Sequence, residues 1–318
     1  MRKKIGLVGL DKNKILYFKR KYKRFDFLKI DDQNFFDPES LEISALMVLY
    51  EYPVRKLLPT FLKRNYKRFK NLEWLHLSRA GVDECIPQIK NYKFKFTSGK
   101  KIQGPNVSEH CLSLLLSLTR GLVKYQIKNT ENKFRPTEIK NKKVLITGLG
   151  GIGFEIAKKI NTFGGHVYSI DHNKQKSSLI KKNFKTKQLK KIVDKFDIII
   201  NCLPFTSFTK NLFNKNIFKK MKKGVFFINI SRDQVVNMRD FYYYLNKGKF
   251  GGAGLDITSK KIMNKKIFID PKKNFIITDH LAGLTTDNHR RIKFFNKNLH
   301  LYCKNKNLIN RVSIKKQY

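Results

Sequence analysis

Hydrophobic and polar positions alternate along the chain in blocks that predict short strands separated by helices. Apolar runs such as Phe25–Ile30 and Ala45–Tyr50 have the length and the β-branched or aromatic content of buried strands. Similar runs occur at Ile5–Leu10, Leu72–Leu77, Phe94–Ser98, Val144–Thr147, His166–Ile170, Phe196–Cys202, Val225–Ile230 and Phe275–Thr278. Apolar residues at helical spacing in Lys14–Tyr22 and Leu57–Phe69 predict helices between strands. This alternation predicts an α/β protein with open parallel sheets.

Three stretches predict further features. A helix that is apolar nearly all round begins at Ser108 and ends near Arg120, which predicts a buried element too short to cross a bilayer. The very basic stretch Lys174–Lys191 predicts a solvated helix surface, and Gly251–Asp256 predicts a glycine-rich approach to one more strand.

Size and charge change this picture little. A chain of 318 residues with 41% hydrophobic content predicts two globular domains. The 68 Lys and Arg against 24 Asp and Glu give a net charge of +44, which could indicate a nucleic-acid or anionic-membrane partner. The basic residues are scattered over the whole chain, however, so we expect compositional drift and neither a specific nucleic acid nor a membrane. Four distant cysteines without metal-ligand spacing predict a reduced, cytoplasmic protein without a metal.

Glycines at G-x-G-x-x-G spacing directly follow one predicted strand. Gly148, Gly150 and Gly153 come after Val144–Thr147, and a helical repeat and a second strand ending at Asp171 follow them. The first glycine allows a tight turn, the second removes a side chain where a pyrophosphate would approach, and the third lets helix and strand pack closely. The order predicts a dinucleotide site with Asp171 on the ribose hydroxyls. The alternative is a glycine turn without a ligand.

Polar residues also follow other predicted strands. Arg232, Asp256 and His280 come at the carboxyl ends of successive strands, as Asp171 does. Ligands of open α/β sheets bind at that edge, so the sequence predicts that these side chains surround one site.

Several segments in order resemble the D-isomer-specific 2-hydroxyacid dehydrogenases, the phosphoglycerate dehydrogenase and glyoxylate-hydroxypyruvate reductase group. The resemblance covers nearly the whole chain, and its motifs are Ser-Arg-Ala-Gly-Val-Asp (78–83), Gly-Pro-Asn-Val-Ser-Glu-His (104–110), the glycine fingerprint, Asn-Cys-Leu-Pro (201–204), Asn-Ile-Ser-Arg (229–232), Gly-Ala-Gly-Leu-Asp (252–256) and His-Leu-Ala-Gly-Leu-Thr (280–285).

The resemblance implies two doubly wound parallel-sheet domains with a cleft between them. A flavodoxin-like, discontinuous substrate domain would comprise residues 1–105 and 284–318, and a Rossmann NAD-binding domain residues 106–283. The implied activity is hydride transfer between NAD and a small D-2-hydroxy or 2-oxo acid. The implied assembly is a homodimer formed through the face that carries the long apolar helix.

The resemblance also implies catalytic and substrate-binding residues. Arg232 matches the arginine that binds the substrate, and its forked guanidinium suits a 2-oxo acid. His280 matches the general acid/base, because reduction of a keto group needs a proton at oxygen as hydride reaches carbon. The implied substrate loop, which would bind the carboxylate through backbone amides, consists of Arg79, Ala80, Gly81 and Val82.

The implied cofactor contacts lie at the glycine turn and at the loops after later strands. NAD is favoured over NADP because the Asp171 carboxylate would repel a 2′-phosphate, although the nearby Lys174 and Lys176 keep NADP open. The full set is Gly148, Gly150, Gly151, Ile152, Gly153, Asp171, Leu203, Pro204, Ile230, Ser231, Arg232, Asp256, His280, Ala282 and Gly283.

One catalytic position departs from the family pattern. Lys261 stands where the family places the glutamate that pairs with the histidine, and the last glutamate of the chain is Glu155. A carboxylate beside His280 would raise its pKa and orient the ring, whereas a lysine would do the reverse. Three hypotheses follow: an active dehydrogenase with a weakened proton relay, an NAD-binding sensor without efficient catalysis, and a basic nucleic-acid-associated protein.

Overall fold

The computed structural model describes residues 2–31, 33–34, 37, 42–49, 71–83, 85, 93–126, 134–172, 177–257, 267–286 and 289–313. The chain divides into two compact units, one formed by Met1–Ile102 with Thr286–Tyr318 and the other by Gln103–Thr285. The predicted helix Leu57–Phe69 and the residue Lys261 lie outside the described residues. None of the described helices combines the length and apolar character that a bilayer-crossing segment needs.

The first unit contains a five-stranded, all-parallel sheet in the order β2-β1-β3-β4-β5. This is the flavodoxin-like strand order. Its elements are β1 (Lys3–Val8), α1 (Lys12–Lys21), β2 (Phe25–Ile30), β3 (Ala45–Val48), β4 (Trp74–Leu77), β5 (Lys95–Ser98) and α7 (His289–Cys303). Helix α1 begins where the Asp11 side chain accepts the Lys14 N–H at 2.8 Å, and its buried Phe18 packs edge-on against Phe295 of α7.

The second unit contains an eight-stranded sheet in the order β12-β13-β11-β10-β9-β6-β7-β8. All strand pairs are parallel except β12 with β13. The strands are β6 (Lys143–Thr147), β7 (His166–Ile170), β8 (Lys182–Phe184), β9 (Ile198–Asn201), β10 (Val225–Asn229), β11 (Phe250–Asp256), β12 (Ile267–Asp270) and β13 (Phe275–Thr278), and the helices are α2 (Gly104–Thr119), α3 (Gly151–Thr162), α4 (Leu189–Ile192), α5 (Lys215–Lys220) and α6 (Met238–Asn246).

Two apolar clusters form the core of the second unit. One joins α2 and α3 to strand residues such as Ile146 and Ile228, and the other joins α4, α5 and α6 to strand residues such as Phe227 and Leu255. The central strands carry fully buried runs such as Ile198–Ile200, because helices cover both faces of the sheet. The predicted class, two parallel-sheet α/β folds, is confirmed.

Strand order reverses beside β6, which pairs with β7 on one side and β9 on the other. Crevices at such a switch point, beyond the carboxyl ends of the strands, are where open α/β sheets bind ligands. The glycine turn follows β6, so the fold places it at this position.

Two element predictions are wrong in part. Helix α2 begins at Gly104 rather than Ser108. Pro105 fits the first turn, because backbone N–H groups at that position make no hydrogen bond within a helix and proline has none. The basic stretch Lys174–Lys191 is not a single helix, since Lys182–Phe184 forms β8 beside β7. The Asn183 side chain accepts the Ser169 hydroxyl proton at 2.7 Å, which ties β8 to β7.

The glycine-rich segment belongs to strand β11 itself. A Cβ added to Gly254 would lie 3.2 Å from Cβ of Leu114 and 3.3 Å from Cδ1 of Leu118, both on α2. Gly254 therefore lets helix α2 approach the sheet closely, which explains its place inside a strand.

Candidate functional site

The glycine turn requires glycine at its first position. Gly148 has a φ of +89°, in the left-handed region, and its N–H donates to Ile170 O at 2.8 Å. A Cβ on Gly148 would lie 2.9 Å from the carbonyl carbon and oxygen of Cys202, after β9. The turn after β6 and the loop after β9 are therefore in direct backbone contact at the switch point.

The second and third glycines differ in what surrounds them. A Cβ on Gly153 would lie 2.0 Å from Gly148 O, so this glycine is required for turn and helix to pack. A Cβ on Gly150 would meet no heavy atom within 4 Å. Packing within the protein therefore does not require Gly150, and the open space beside it fits a ligand that approaches the backbone.

Helix α3 offers free backbone donors beside this open space. Its first intrahelical bond joins Phe154 N–H to Gly150 O at 2.9 Å, so the N–H groups of Gly151, Ile152 and Gly153 have no acceptor within the helix. Free N–H groups and the positive end of the helix dipole suit a pyrophosphate, so the residues fit a dinucleotide.

Asp171 is fixed against this turn. Its Oδ2 accepts the Leu149 N–H at 2.7 Å, and its carbonyl oxygen accepts from Asn183 Nδ2 at 3.2 Å. The side chain is only partly exposed at the end of β7. The carboxylate thus lies where the ribose of a nucleotide bound to the turn would be expected.

A buried row of polar side chains crosses the carboxyl ends of β6, β9 and β10. Thr147 Oγ1 donates to Asn201 Oδ1 at 2.9 Å, and Asn201 Nδ2 donates to Asn229 Oδ1 at 2.9 Å. All three side chains are fully buried, and they are register partners across the sheet. We call Thr147, Asn201 and Asn229 the amide row.

The amide row also holds the loops that follow these strands. Leu203 N–H donates to Asn201 Oδ1 at 3.2 Å, and Ser231 N–H donates to Asn229 Oδ1 at 3.2 Å. The Ser231 hydroxyl donates to Leu203 O, which joins the two loops. Sequence reasoning assigned no role to the amide row, although Thr147, Asn201 and Asn229 each stand at the end of an apolar run.

Arg232 is positioned through its backbone. Asn229 Nδ2 donates to Arg232 O at 3.3 Å, and Arg232 Nη1 donates to Ser231 O at 3.1 Å. Its side chain is partly exposed beyond the end of β10. Asn229 of the amide row therefore fixes the backbone from which the Arg232 side chain extends.

Asp256 binds the backbone of the loop after β13. Its carboxylate is 3% exposed, accepts the Leu281 N–H at 2.7 Å through Oδ1, and accepts the Ala282 N–H at 3.1 Å through Oδ2. Thr278 Oγ1 lies 2.6 Å from Asp256 Oδ1. These contacts fully bury a carboxylate beneath the loop that carries His280. Its predicted contact with the cofactor stays a prediction.

His280 has an unusual backbone conformation. Its φ of +52° places a side-chain-bearing residue other than Asn in the left-handed region, and its N–H donates to Thr278 O at 3.0 Å. Such conformations cost free energy and persist where the surroundings enforce them, often at functional sites.

Strand order sets the separation between the two predicted catalytic residues. Arg232 follows β10 and His280 follows β13, and β11 lies between these strands. Two steps of about 4.8 Å across a sheet give strand ends roughly 10 Å apart, a span that long side chains and a small substrate can bridge.

Two thiols lie in this region. Burial raises the pKa of both the Cys111 and the Cys202 thiol, so both stay protonated at neutral pH. Among the described residues, no group of three or more His, Cys, Asp or Glu could hold a metal ion.

Comparison with known proteins identifies the family. The model of the D-isomer specific 2-hydroxyacid dehydrogenase, NAD binding domain, matches residues 112–282. The chain belongs to the D-isomer specific 2-hydroxyacid dehydrogenase family. The family description makes the glycine turn part of an NAD-binding domain.

Similar proteins include two curated reductases and one solved structure. Hydroxypyruvate reductase of Thermotoga maritima is 26% identical over 70% of this chain and 74% of its own length. Glyoxylate reductase/hydroxypyruvate reductase of Homo sapiens is 29% identical over 68% of this chain and 69% of its own length. A D-isomer specific 2-hydroxyacid dehydrogenase family protein from Aeromonas salmonicida is 24% identical, covers 98% of this chain and 99% of its own, and has a TM-score of 0.78, which shows the shared fold.

The predicted substrate loop of this dehydrogenase family member lies in the first unit, whereas the predicted cofactor contacts Pro204, Ile230 and Gly283 follow β9, β10 and β13 of the second unit. Arg79–Val82 follows β4, where Arg79 O accepts the Gly99 N–H at 2.7 Å and Arg79 Nη2 lies 3.7 Å from the Cys85 thiol sulfur. Its side chain is 8% exposed. The substrate role of this loop stays a prediction, as does that of Lys261 outside the described residues.

Proposed function

We propose that this protein interconverts a small D-2-hydroxy acid and its 2-oxo acid with NAD as the hydride carrier. The observation that supports the proposal most is the carboxyl edge of one sheet. The open Gly150 turn, Arg232 and the strained His280 all follow parallel strands of that sheet. A crevice at this edge suits a nucleotide beside a small acid.

In the proposed reaction, Arg232 binds the acid and His280 acts as the general acid or base. When bound, the reduced nicotinamide supplies the hydride to the oxo carbon. The Arg232 guanidinium pairs with the substrate carboxylate and polarises the oxo group. His280 donates a proton to the oxo oxygen, and it accepts that proton in the reverse direction.

The residues of the glycine turn would hold the cofactor. The free N–H groups of Gly151 and Ile152 would bind the pyrophosphate, and Asp171 would accept the ribose hydroxyls. A carboxylate at this position disfavours the 2′-phosphate of NADP, so we propose NAD as the preferred cofactor.

A panel of 2-oxo acids tests the proposal. Purified protein is assayed with glyoxylate, hydroxypyruvate and 3-phosphohydroxypyruvate, each with NADH and with NADPH. Relatives named hydroxypyruvate reductase and glyoxylate reductase make the first two the favoured substrates. We expect saturable NADH oxidation with at least one acid, and a product of D configuration from hydroxypyruvate or 3-phosphohydroxypyruvate, whose reduction creates a stereocentre. Saturable NADH binding without turnover of any acid would contradict the proposal.

A second candidate is an NAD-binding family member with weak or lost catalysis. The observation that favours it is Lys261, which stands where the family pattern has a glutamate. The substitution Lys261→Glu separates the two candidates. A large gain in turnover would favour the family member with weak catalysis. Unchanged turnover and an unchanged pH profile would show that Lys261 does not weaken catalysis.

We also propose a homodimer. Large apolar side chains just beyond α2 are exposed in the single chain, since Leu122 is 63% and Tyr125 is 52% exposed. Light scattering coupled to size exclusion should give twice the chain mass of 37.5 kDa. Leu122→Lys should shift the mass toward the monomer, whereas Leu16→Lys, at an exposed residue of α1, should not.

A further inference from the structure

His110 lies beneath the loop that carries His280; it ends the motif of residues 104–110, but neither the sequence analysis nor the proposed mechanism gives it a role. It projects from α2, and its side chain is 21% exposed. Its Nε2 lies 2.9 Å from Thr278 Oγ1 and 3.5 Å from Asp256 Oδ1. Three polar side chains from α2, β11 and β13 therefore meet at one point.

The chemistry of these groups fixes the direction of the hydrogen bonds. An ionised carboxylate can only accept, so the Thr278 hydroxyl donates its proton to Asp256 Oδ1 across 2.6 Å. The hydroxyl oxygen then accepts from His110, which requires a proton on Nε2. The result is a chain in which His110 donates to Thr278 and Thr278 donates to Asp256.

Asp256 continues this chain into the loop. Its two oxygens accept the successive N–H groups of Leu281 and Ala282, the residues directly after His280. Helix α2 makes a second contact with the same loop, because Asn106 Nδ2 donates to Ala282 O at 3.0 Å. Two side chains one helical turn apart thus connect α2 to this loop.

We propose that His110 is a positioning residue for His280, acting through Thr278 and Asp256. The proposal rests on the proposed role of His280 as proton donor. The left-handed backbone of His280 is costly, so neighbouring contacts must enforce it. Without the His110 donor, the Thr278 hydroxyl can turn from Asp256 to Leu255 O, 3.4 Å away. The carboxylate then loses a bond, and the loop it holds relaxes.

Kinetics provide the first test. His110→Phe should lower kcat about 10-fold, less than the 100-fold that a 1 Å misplacement of a reacting group can cost. The KM for the oxo acid and the Kd for NADH should change less than twofold. The solvent deuterium isotope effect on kcat should rise, because proton delivery becomes slower relative to hydride transfer. His110→Gln, which retains an N–H donor, should restore most of kcat.

Hydrogen exchange provides a test that is independent of turnover. In His110→Phe and in Thr278→Val, the amides of the 279–284 loop should exchange at least 10-fold faster than in the unmodified protein. Thr278→Ser and His110→Gln should exchange at the unmodified rate. His300→Gln, at an exposed histidine of α7, is the matched control and should change neither measurement.

The outcomes separate this proposal from the proposed function. Unchanged exchange and unchanged kcat in His110→Phe would overturn the positioning role. If His110→Phe does not fold, Thr278→Val decides through the same two measurements. If the unmodified protein reduces no oxo acid, the proposed function fails, yet the exchange rates still show whether His110 holds the loop.

Discussion

The sheets of the two units are built alike but end in different chemistry. In the first unit, four strands end in buried apolar residues, and the fifth ends in Ser98; the apolar ends are Val8, Ile30, Val48 and Leu77. In the second unit, five parallel strands end in buried polar residues, namely Thr147, Asn201, Asn229, Asp256 and Thr278. Apolar strand interiors are enough to form either sheet. In the second unit, polar final residues of four of these strands, Asn201, Asn229, Asp256 and Thr278, also hold the segments beyond the strand ends or the carboxylate that binds them.

The amide row and His76 of the first unit differ in how their buried polar atoms are hydrogen-bonded. Each amide of the row in the second unit is hydrogen-bonded, which offsets the cost of burial. In the first unit, His76 lies inside β4, where Nδ1 contacts Thr97 Oγ1 at 2.8 Å and Nε2 has no hydrogen-bond partner among the described residues. Burial lowers the pKa of His76 from 6.5 to about 3. The side chains of the amide row thus hydrogen-bond to one another, whereas the burial of His76 predicts that the stability of its sheet decreases at low pH.

The largest expected effect is at the edge of the second unit. Arg232→Gln should lower kcat/KM for the oxo acid by roughly 10³-fold, because two charge-assisted hydrogen bonds are each worth about 1.5–3 kcal/mol. The Kd for NADH should change much less, because the glycine turn and Asp171 provide cofactor contacts that this substitution leaves in place. Steady-state kinetics and fluorescence titration measure the two quantities. Arg239→Gln, at an exposed arginine of α6, is the control, and an equal loss in both variants would remove Arg232 from the site.

The next effect concerns the first unit at low pH. The unfolded chain binds a proton at His76 near pH 6.5, and the folded chain does so only near pH 3, so stability falls as pH decreases through this window. The loss between pH 6.5 and pH 4 should be about 3 kcal/mol. Trp74, the single tryptophan, lies in the same strand and reports urea unfolding by fluorescence.

The variant His76→Gln provides the control for this pH dependence. It keeps a hydrogen-bonding group for Thr97 but does not titrate, so the slope of stability against pH should be smaller than in the unmodified protein. His300→Gln should keep the full slope. Equal slopes in all three proteins would show that His76 is not the group responsible.

Two glycines of one turn should respond in opposite ways. Gly150→Ala meets no protein atom, so stability should hold while the Kd for NADH rises about 10-fold or more. Gly153→Ala places a methyl group 2.0 Å from Gly148 O, so it should lower the melting temperature whether or not NADH is present. Thermal melts with and without NADH separate these effects. A destabilised Gly150→Ala with normal NADH affinity would contradict the ligand role of the open space.

The smallest expected effect is on cofactor choice. Asp171→Ser removes the carboxylate that opposes a 2′-phosphate, so the ratio of kcat/KM for NADPH over NADH should rise about 10-fold, or about 1.4 kcal/mol. The same change removes the acceptor of the Leu149 N–H, so Asp171→Asn, which keeps an acceptor, is the matched variant. A ratio that does not move in either variant would mean that this residue does not select the cofactor.

Much of the architecture was predictable because periodicity and glycine spacing are local signals. Phe25–Ile30 and Phe275–Thr278 have the predicted bounds, and the glycine fingerprint opens helix α3 as expected. Strand β8 was missed because Lys182 and Asn183 are not typical strand residues, and their pairing with β7 is a long-range effect. Antiparallel β12 was missed because Ile267–Asp270 is a short run, although Asp270-Pro271 and Asn274 mark a turn between it and β13.

The site was predictable only where a residue type carries chemistry by itself. Arg232 and His280 could be named because a guanidinium and an imidazole suggest roles. Asn201, Asn229 and His110 act through what they contact, and these contacts depend on strand register and helix placement that local patterns do not give. Their positions in the sequence were known from the motifs, but their partners were not.

The amide row limits how this edge can be remodelled. Each of its asparagines hydrogen-bonds both to a side chain of a neighbouring strand and to the backbone of the loop after its own strand. Exchanging one loop for a longer or differently shaped one would therefore leave a buried amide group without one of its hydrogen bonds. Changing the specificity of this edge would therefore require exchanging the loops after β9 and β10 together with Asn201 and Asn229. Substitutions at exposed positions beyond the row, such as Pro204, would change the edge without disturbing these buried hydrogen bonds.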